Sequence, residues 1–222
     1  VSTDIKDQFL RHVAQHEMRV LHDQGVYRHL RFQQPGTTNL YFDIVTWPGF
    51  LAYTGDMGDY VFNRVEDMLT FFRGHRPNPQ YWAEKCVSVS KHSPLEKFSE
   101  TKFKSAIKEA LEEHIDARYP APTVEPDAEP EPRRKARETA IQELRDEVDE
   151  DVLSCLGDDM DGRAAIQAAV NFVDSQDRQP FGDIYENDFT EWTYRFLWCC
   201  EALPWAIALY DARPVVQEGG AA

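Results

Sequence analysis

Chemistry needs polar side chains gathered at fixed spacing, and the chain offers four such sets. His12 and His16 stand four apart, a spacing that on a helix would turn both imidazoles toward one metal ion. A zinc hydrolase of that kind has a glutamate after its first histidine as general base. Here the residue is Val13, so the pair reads as an exposed helix edge. Gly157-Asp158-Asp159-Met160-Asp161-Gly162 looks like part of a calcium loop. Setting Gly162 at the loop glycine places Asp159 and Asp161 at positions three and five, but position one is Gly157 and position twelve is Ala168. Two ligand positions fail, and the aspartates read as acids at a helix N-terminus. Asp43, Asp56 and Asp59 lie among Tyr41, Trp47, Tyr53, Tyr60 and His29. Converging carboxylates beside aromatics would suit a metal or a nucleobase; as separate residues they close a turn and solvate an edge. Ser88, Ser90 and His92 lack an orienting acid and fit strand alternation. No glycine string for phosphate and no nucleophile elbow occurs. The expectation is no catalytic residue, no metal and no cofactor.

The most unusual chemistry is electrostatic. Residues 138–161 hold ten acids and one base, Arg145. Such a run solvates a helix face, or it meets a basic protein groove, including one built for nucleic acid. The candidate partner-binding residues are Glu143, Asp146, Glu147, Glu150 and Asp151, with Trp47 and Tyr60 on the aromatic strands as a second surface.

These residues need elements to hold them. Ile5, Phe9 and Val13 step by four, predicting a helix over 4–22 that ends at Gly25. From Tyr27 the period becomes two. Strands are expected over 27–32, 40–46, 50–54 and 59–63, with a type II turn at Trp47-Pro48-Gly49. Helices follow over 65–73, 77–85 and 99–117. Residues 120–132 carry five prolines and four acids and read as a stiff solvated linker. Charged and apolar periodicity then predicts helices over 133–156 and 162–174. The last helix starts from an Asp188 cap. Its stripe is Trp192, Phe196, Cys199, Leu203, Ile207 and Tyr210, with Pro204 kinking or dividing it.

The expected fold class is α+β: an antiparallel four-stranded meander packed by an N-terminal helix and a C-terminal helical block. The expected organisation is a core domain over 1–117, a linker over 118–134, and a block over 135–222 docking on the core. With 222 residues, about 70% of the unfolded surface can be buried without staples. Cys86, Cys155, Cys199 and Cys200 lack C-x-x-C spacing and read as small hydrophobes in a reducing compartment. The start, Val1-Ser2-Thr3-Asp4, runs into mixed charge, unlike a secretion signal. The most apolar stretch, 189–210, contains Glu191, Arg195, Glu201 and Pro204, so a membrane span is not expected. The net charge of −15 argues against a direct grip on nucleic acid or on an anionic membrane.

Three segments carry a resemblance. The run from His22 to Phe32, Phe42-Asp43-Ile44-Val45-Thr46-Trp47-Pro48-Gly49, and Thr54-Gly55-Asp56-Met57-Gly58-Asp59-Tyr60-Val61-Phe62 resemble a family of uncharacterised phage and prophage proteins. Phe196-Leu197-Trp198-Cys199-Cys200 and Tyr210-Asp211 are similar to that family's ending. The likeness implies a phage-encoded accessory protein in a bacterial cytoplasm, and it supplies no catalytic residues. Such proteins often inhibit host defences, so the leading expectation is a non-enzymatic inhibitor of a host protein with a basic groove, such as an anti-CRISPR acting on a CRISPR effector. The rival expectations are a phage metal-dependent enzyme acting on nucleotides or nucleic acid, and a phage structural or assembly component. The sequence sets no oligomeric state.

Overall fold

The computed structural model describes residues 3–120, 130–157, 162–175 and 177–214. It is α+β and divides into two compact units. One is Val1–Glu96 with Trp192–Ala222; the other is Lys97–Glu191.

The first unit opens with helix α1 (Thr3–His12), then strands β1 (Glu17–Gln24), β2 (Tyr27–Gln33), β3 (Phe42–Trp47), β4 (Phe50–Gly55) and β5 (Gly58–Asn63). Short helices α2 (Met68–Phe72) and α3 (Pro79–Ala83) precede strand β6 (Cys86–Val89). The sheet is an antiparallel meander in strict chain order, with six strands where four were expected. The two additional strands are β1, read as helix, and β6, in the stretch whose strand alternation the sequence showed but which the expected meander left out. The helix expected over 4–22 stops at His12, and residues 17–24 join the sheet, where Met18 and Val20 pair with Phe32 and Leu30. Gln24 pairs with Tyr27, so Gly25-Val26 is a two-residue hairpin turn, with Gly25 at φ 62°. Gly49 (φ 83°) sits where a type II turn wants glycine, as expected.

Leu30, Phe32, Phe42, Ile44, Leu51, Tyr53, Tyr60 and Phe62 form the buried face of the sheet. Helix α7 (Tyr194–Ala212) packs into the same core with Phe196, Trp198, Leu203, Ile207 and Tyr210. The ring of Phe42 stacks on Phe32 at 4.8 Å and takes the edge of Trp198 at 5.6 Å. The expected docking stripe is therefore present, with Trp192 only partly buried. Asp188 does not cap α7. It accepts the Thr190 amide, and the cap is Thr193, whose side chain accepts the Phe196 amide. Pro204 sits inside α7 without dividing it.

The second unit is helical and has its own core. Helix α4 (Glu100–Arg118) presents Phe103, Ile107, Leu111 and Ile115 at steps of four. Helix α5 (Glu131–Asp151) contributes Leu144 and Val148, with Val152 following, and α6 (Arg163–Asn171) contributes Ala165 and Ala169. Segments Glu96–Phe98 (β7) and Thr190–Trp192 (β8) pair as a short ribbon. The division thus differs from the expected 1–117 and 135–222. Helix α4 shares a core with α5 and α6, while only the end of the chain returns to the sheet. Most of the expected linker, residues 121–129, lies outside the described residues, and Glu131 and Pro132 belong to α5.

Candidate functional site

Helix α5 forms for ordinary local reasons. Pro132 stands in its first turn, where a missing N–H costs nothing, and Leu144, Val148 and Val152 recur at one helical spacing. Burial of that stripe leaves the rest of the helix in water. Glu143, Asp146, Asp149, Glu150 and Asp151 are exposed, and Glu147 is half-buried. Arg145, the one base of the acidic tract, is drawn onto α4, where its Nη2 donates to both carboxylate oxygens of Glu112 at 3.0 and 3.1 Å. Among the described residues no salt bridge reaches Glu143, Asp146, Glu147, Asp149, Glu150 or Asp151.

The charges also run against the helix. Arg133, Arg134, Lys135 and Arg137 crowd its N-terminal turns, where the backbone dipole is positive, against the one first-turn acid, Glu131. Asp149, Glu150 and Asp151 fill the last turn, which has no basic residue and where the dipole is negative. Glu143–Glu147, Asp146–Glu150 and Glu147–Asp151 are three like-charge pairs at i,i+4. Sequence reasoning named the acids but missed Asp149 and missed this reversal of polarity, although the order of charges along 131–151 displays it.

Two further predicted residues lie on the sheet of the first unit. Trp47 is half-buried, stacks on Phe50 at 5.3 Å, and lines an open cleft of about 570 Å³ with His22, Tyr27, His29 and Val45. Tyr60 fails as a surface residue. It is 0% exposed, because its strand position turns it inward against Phe196 and Tyr53. The signal was available: Tyr60 and Phe62 share the parity of a core-facing pair, while Asp59 and Val61 face the other way.

The carboxylates once grouped as an enzyme candidate each have their own partner. Asp43, only 5% exposed, accepts two bonds from Arg31 at 2.8 Å and one from His29 at 3.0 Å. Burial pushes its pKa up, but the bonds from Arg31 and His29 outweigh that and hold it below the usual carboxylate value. Asp56 takes the Leu40 amide at 2.6 Å, and Asp59 takes the Thr54 hydroxyl. His12 and His16 do not share a helix face, since α1 ends at His12. His12 Nδ1 accepts from the Trp198 indole, and His16 Nε2 bonds the Leu40 carbonyl at 2.9 Å. Residues 158–161, the suspected calcium loop, lie outside the described residues. Among the described residues no group of three or more His, Cys, Asp or Glu side chains is placed to hold a metal.

Networks unseen in the sequence tie distant segments together. Arg28 donates two bonds to Asp67 at 2.9 and 3.0 Å and one to the Tyr210 hydroxyl, which donates to Asp23 at 2.8 Å. Asp67 also caps α2, so its carboxylate ties β2 to α2, and Arg28 carries the link on to Tyr210 of α7. In the second unit His114 bonds the buried Asp174 at 2.9 Å. Burial raises the Cys199 and Cys200 thiols, which makes them packing groups at neutral pH rather than nucleophiles. No helix among the described residues is long and apolar enough to cross a membrane. Set against family models, curated proteins and solved structures, the chain matches none of them.

Proposed function

We propose that the protein works by binding another protein, with the exposed carboxylates of α5 as the contact surface and a basic groove on the partner as their counterpart. The observation that supports this is the polarity of α5. A helix selected for stability places acids at its start and bases at its end; this one, Glu131 apart, does the reverse and keeps its only mid-tract cation engaged with α4. Carboxylates from Glu143 to Asp151 cover nine residues, about 12 Å of helix rise. That reach spans several phosphates of a nucleic acid duplex, which carries one charge per about 1.7 Å of axis. Such a face fits a groove built for nucleic acid and keeps nucleic acid out. The resemblance in residues 22–62 is the ground for proposing a bacterial host protein as the partner, with a CRISPR effector or another defence nuclease as the kind of protein that would supply such a groove. The experiment is capture from bacterial lysate at 0.05 M NaCl, elution at 0.5 M NaCl and identification by mass spectrometry. The expected eluate is a basic nucleic-acid-handling protein. Capture unaffected by salt, or only of acidic proteins, contradicts the proposal.

A further inference from the structure

The sheet of the first unit has two edges, and they are built differently. Strand β1 carries Glu17, Arg19, His22 and Asp23 and is interrupted by a bulge between Val20 and His22. Charges and a bulge are how an edge avoids recruiting a stray strand. Strand β6, Cys86-Val87-Ser88-Val89, has no charge, no proline and two β-branched valines. Val87 is 59% exposed and Val89 42% exposed. A register shift beside Phe62 and a length of four residues limit what it can recruit.

The ladder shows which backbone groups are vacant. Ser88 pairs with Val61 and the Ser90 amide donates to the Asp59 carbonyl at 3.1 Å, so these two residues turn their N–H and C=O toward β5; beyond the register shift the Asn63 amide donates to the Lys85 carbonyl at 2.9 Å. Val89 lies between Ser88 and Ser90 and turns its groups outward, Val87 is left without a partner on β5 by the register shift, and among the described residues no other strand pairs with that side. Lys85 and Lys91 stand at the two ends; the Lys85 ammonium bonds Glu84 at 3.3 Å and lies over the Tyr81 ring at 4.8 Å, and Lys91 is exposed.

We infer that β6 is a docking edge for an extended segment of another protein, apolar and β-branched in its middle and acidic at both ends. Outward N–H and C=O groups of Val87 and Val89 would form the ladder, their side chains would pack on alternate apolar residues, and the lysines would select carboxylates about 20 Å apart. A second copy of this chain is the wrong occupant. Antiparallel pairing centred on Ser88 sets Lys85 against the copy's Lys91, and parallel pairing sets each lysine beside its equivalent; both arrangements oppose like charges.

The test uses the full chain, isotope-labelled, with three capped heptapeptides: Asp-Val-Thr-Val-Thr-Val-Asp, its counterpart with lysine at both ends, and its counterpart with proline in the middle. The acidic peptide should shift the amide resonances of residues 85–91 saturably. The lysine and proline peptides should bind at least tenfold more weakly. Val89→Pro removes an outward donor and no bond to β5, so it should weaken the acidic peptide at least tenfold with other resonances unmoved. If that variant unfolds, Lys85→Glu with Lys91→Glu serves instead and should reverse the preference between the charged peptides. Equal binding of both charged peptides, shifts centred elsewhere, no saturable shift, or concentration-dependent shifts at β6 without peptide would each overturn the inference.

Discussion

If α5 carries its charges against its own stability, removing them should strengthen the fold. The variant Asp149→Asn, Glu150→Gln, Asp151→Asn keeps side-chain size and deletes the last-turn acids. Each charge at the wrong end of a helix dipole costs about 0.3–1 kcal/mol, so three cost about 1–3 kcal/mol. The change also dissolves the Asp146–Glu150 and Glu147–Asp151 repulsions, each worth about 0.2–0.5 kcal/mol. Exposure of these residues puts the total near the low end, a gain of about 1–2 kcal/mol at low salt. Urea unfolding followed by far-UV circular dichroism reads the helices. Tryptophan fluorescence reads the first unit alone, since all five tryptophans lie there. The expected result is a higher dichroism midpoint in 0.05 M NaCl, an unchanged slope and a gain that shrinks in 0.5 M NaCl. A variant that is less stable than the parent, or equally stable at low salt, refutes the reasoning. The acids would then be compensated by charges that the dipole argument ignores.

Three further outcomes follow from the packing and the titrating groups. Phe196→Ala, at a position fully buried against Tyr60 and Trp192, should cost about 3–5 kcal/mol by the same urea assay, and a cost below 1 kcal/mol would remove α7 from the core. Asp43 has its pKa lowered in the fold by Arg31 and His29 despite burial, so its contribution is present above the unfolded pKa near 4 and is lost as pH falls through the folded value. Asp43→Asn should therefore narrow the stability difference between pH 7 and pH 2; an unchanged difference contradicts the assignment. Glu201 is shifted the other way: burial raises it, partly opposed by Lys6, so its ionisation burdens the fold above the folded pKa and not below the unfolded one. Glu201→Gln should raise Tm at pH 7 and leave it unmoved at pH 3.5, and a gain equal at both pH values excludes ionisation as the cause.

Much of this architecture was legible because periods and turns are local. The Pro48-Gly49 turn, the alternation in β2 to β5 and the steps of four in α4 each appear in short windows of sequence. What failed was long-range. Gly25 at positive φ ends a helix as readily as it makes a hairpin turn, so the segment before it read as helix until Phe32 and Leu30 claimed Met18 and Val20. The domain boundary was misplaced because proline-rich composition marks a loop, whereas a boundary depends on which stripe packs on which. The stripe of α4 suits a sheet or another helix equally well in sequence, and it meets Leu144 and Val148. The acids of α5 were legible as acids. Their meaning needed the helix ends, which set the sign of the dipole, and the Arg145–Glu112 pair, which no periodicity contains.

The measurement closest to the central claim is binding of the captured partner by the parent chain and by Glu143→Lys, Asp146→Lys, Glu147→Lys, Glu150→Lys together, by surface resonance in 0.05 M NaCl. None of these side chains belongs to the buried stripe, so the variant should keep the parent's dichroism spectrum. The account predicts that the parent associates rapidly, with an on-rate that falls steeply with salt, and that the reversed chain does not bind. A folded reversed chain that binds as tightly as the parent contradicts it and leaves the α5 carboxylates as a solvated face.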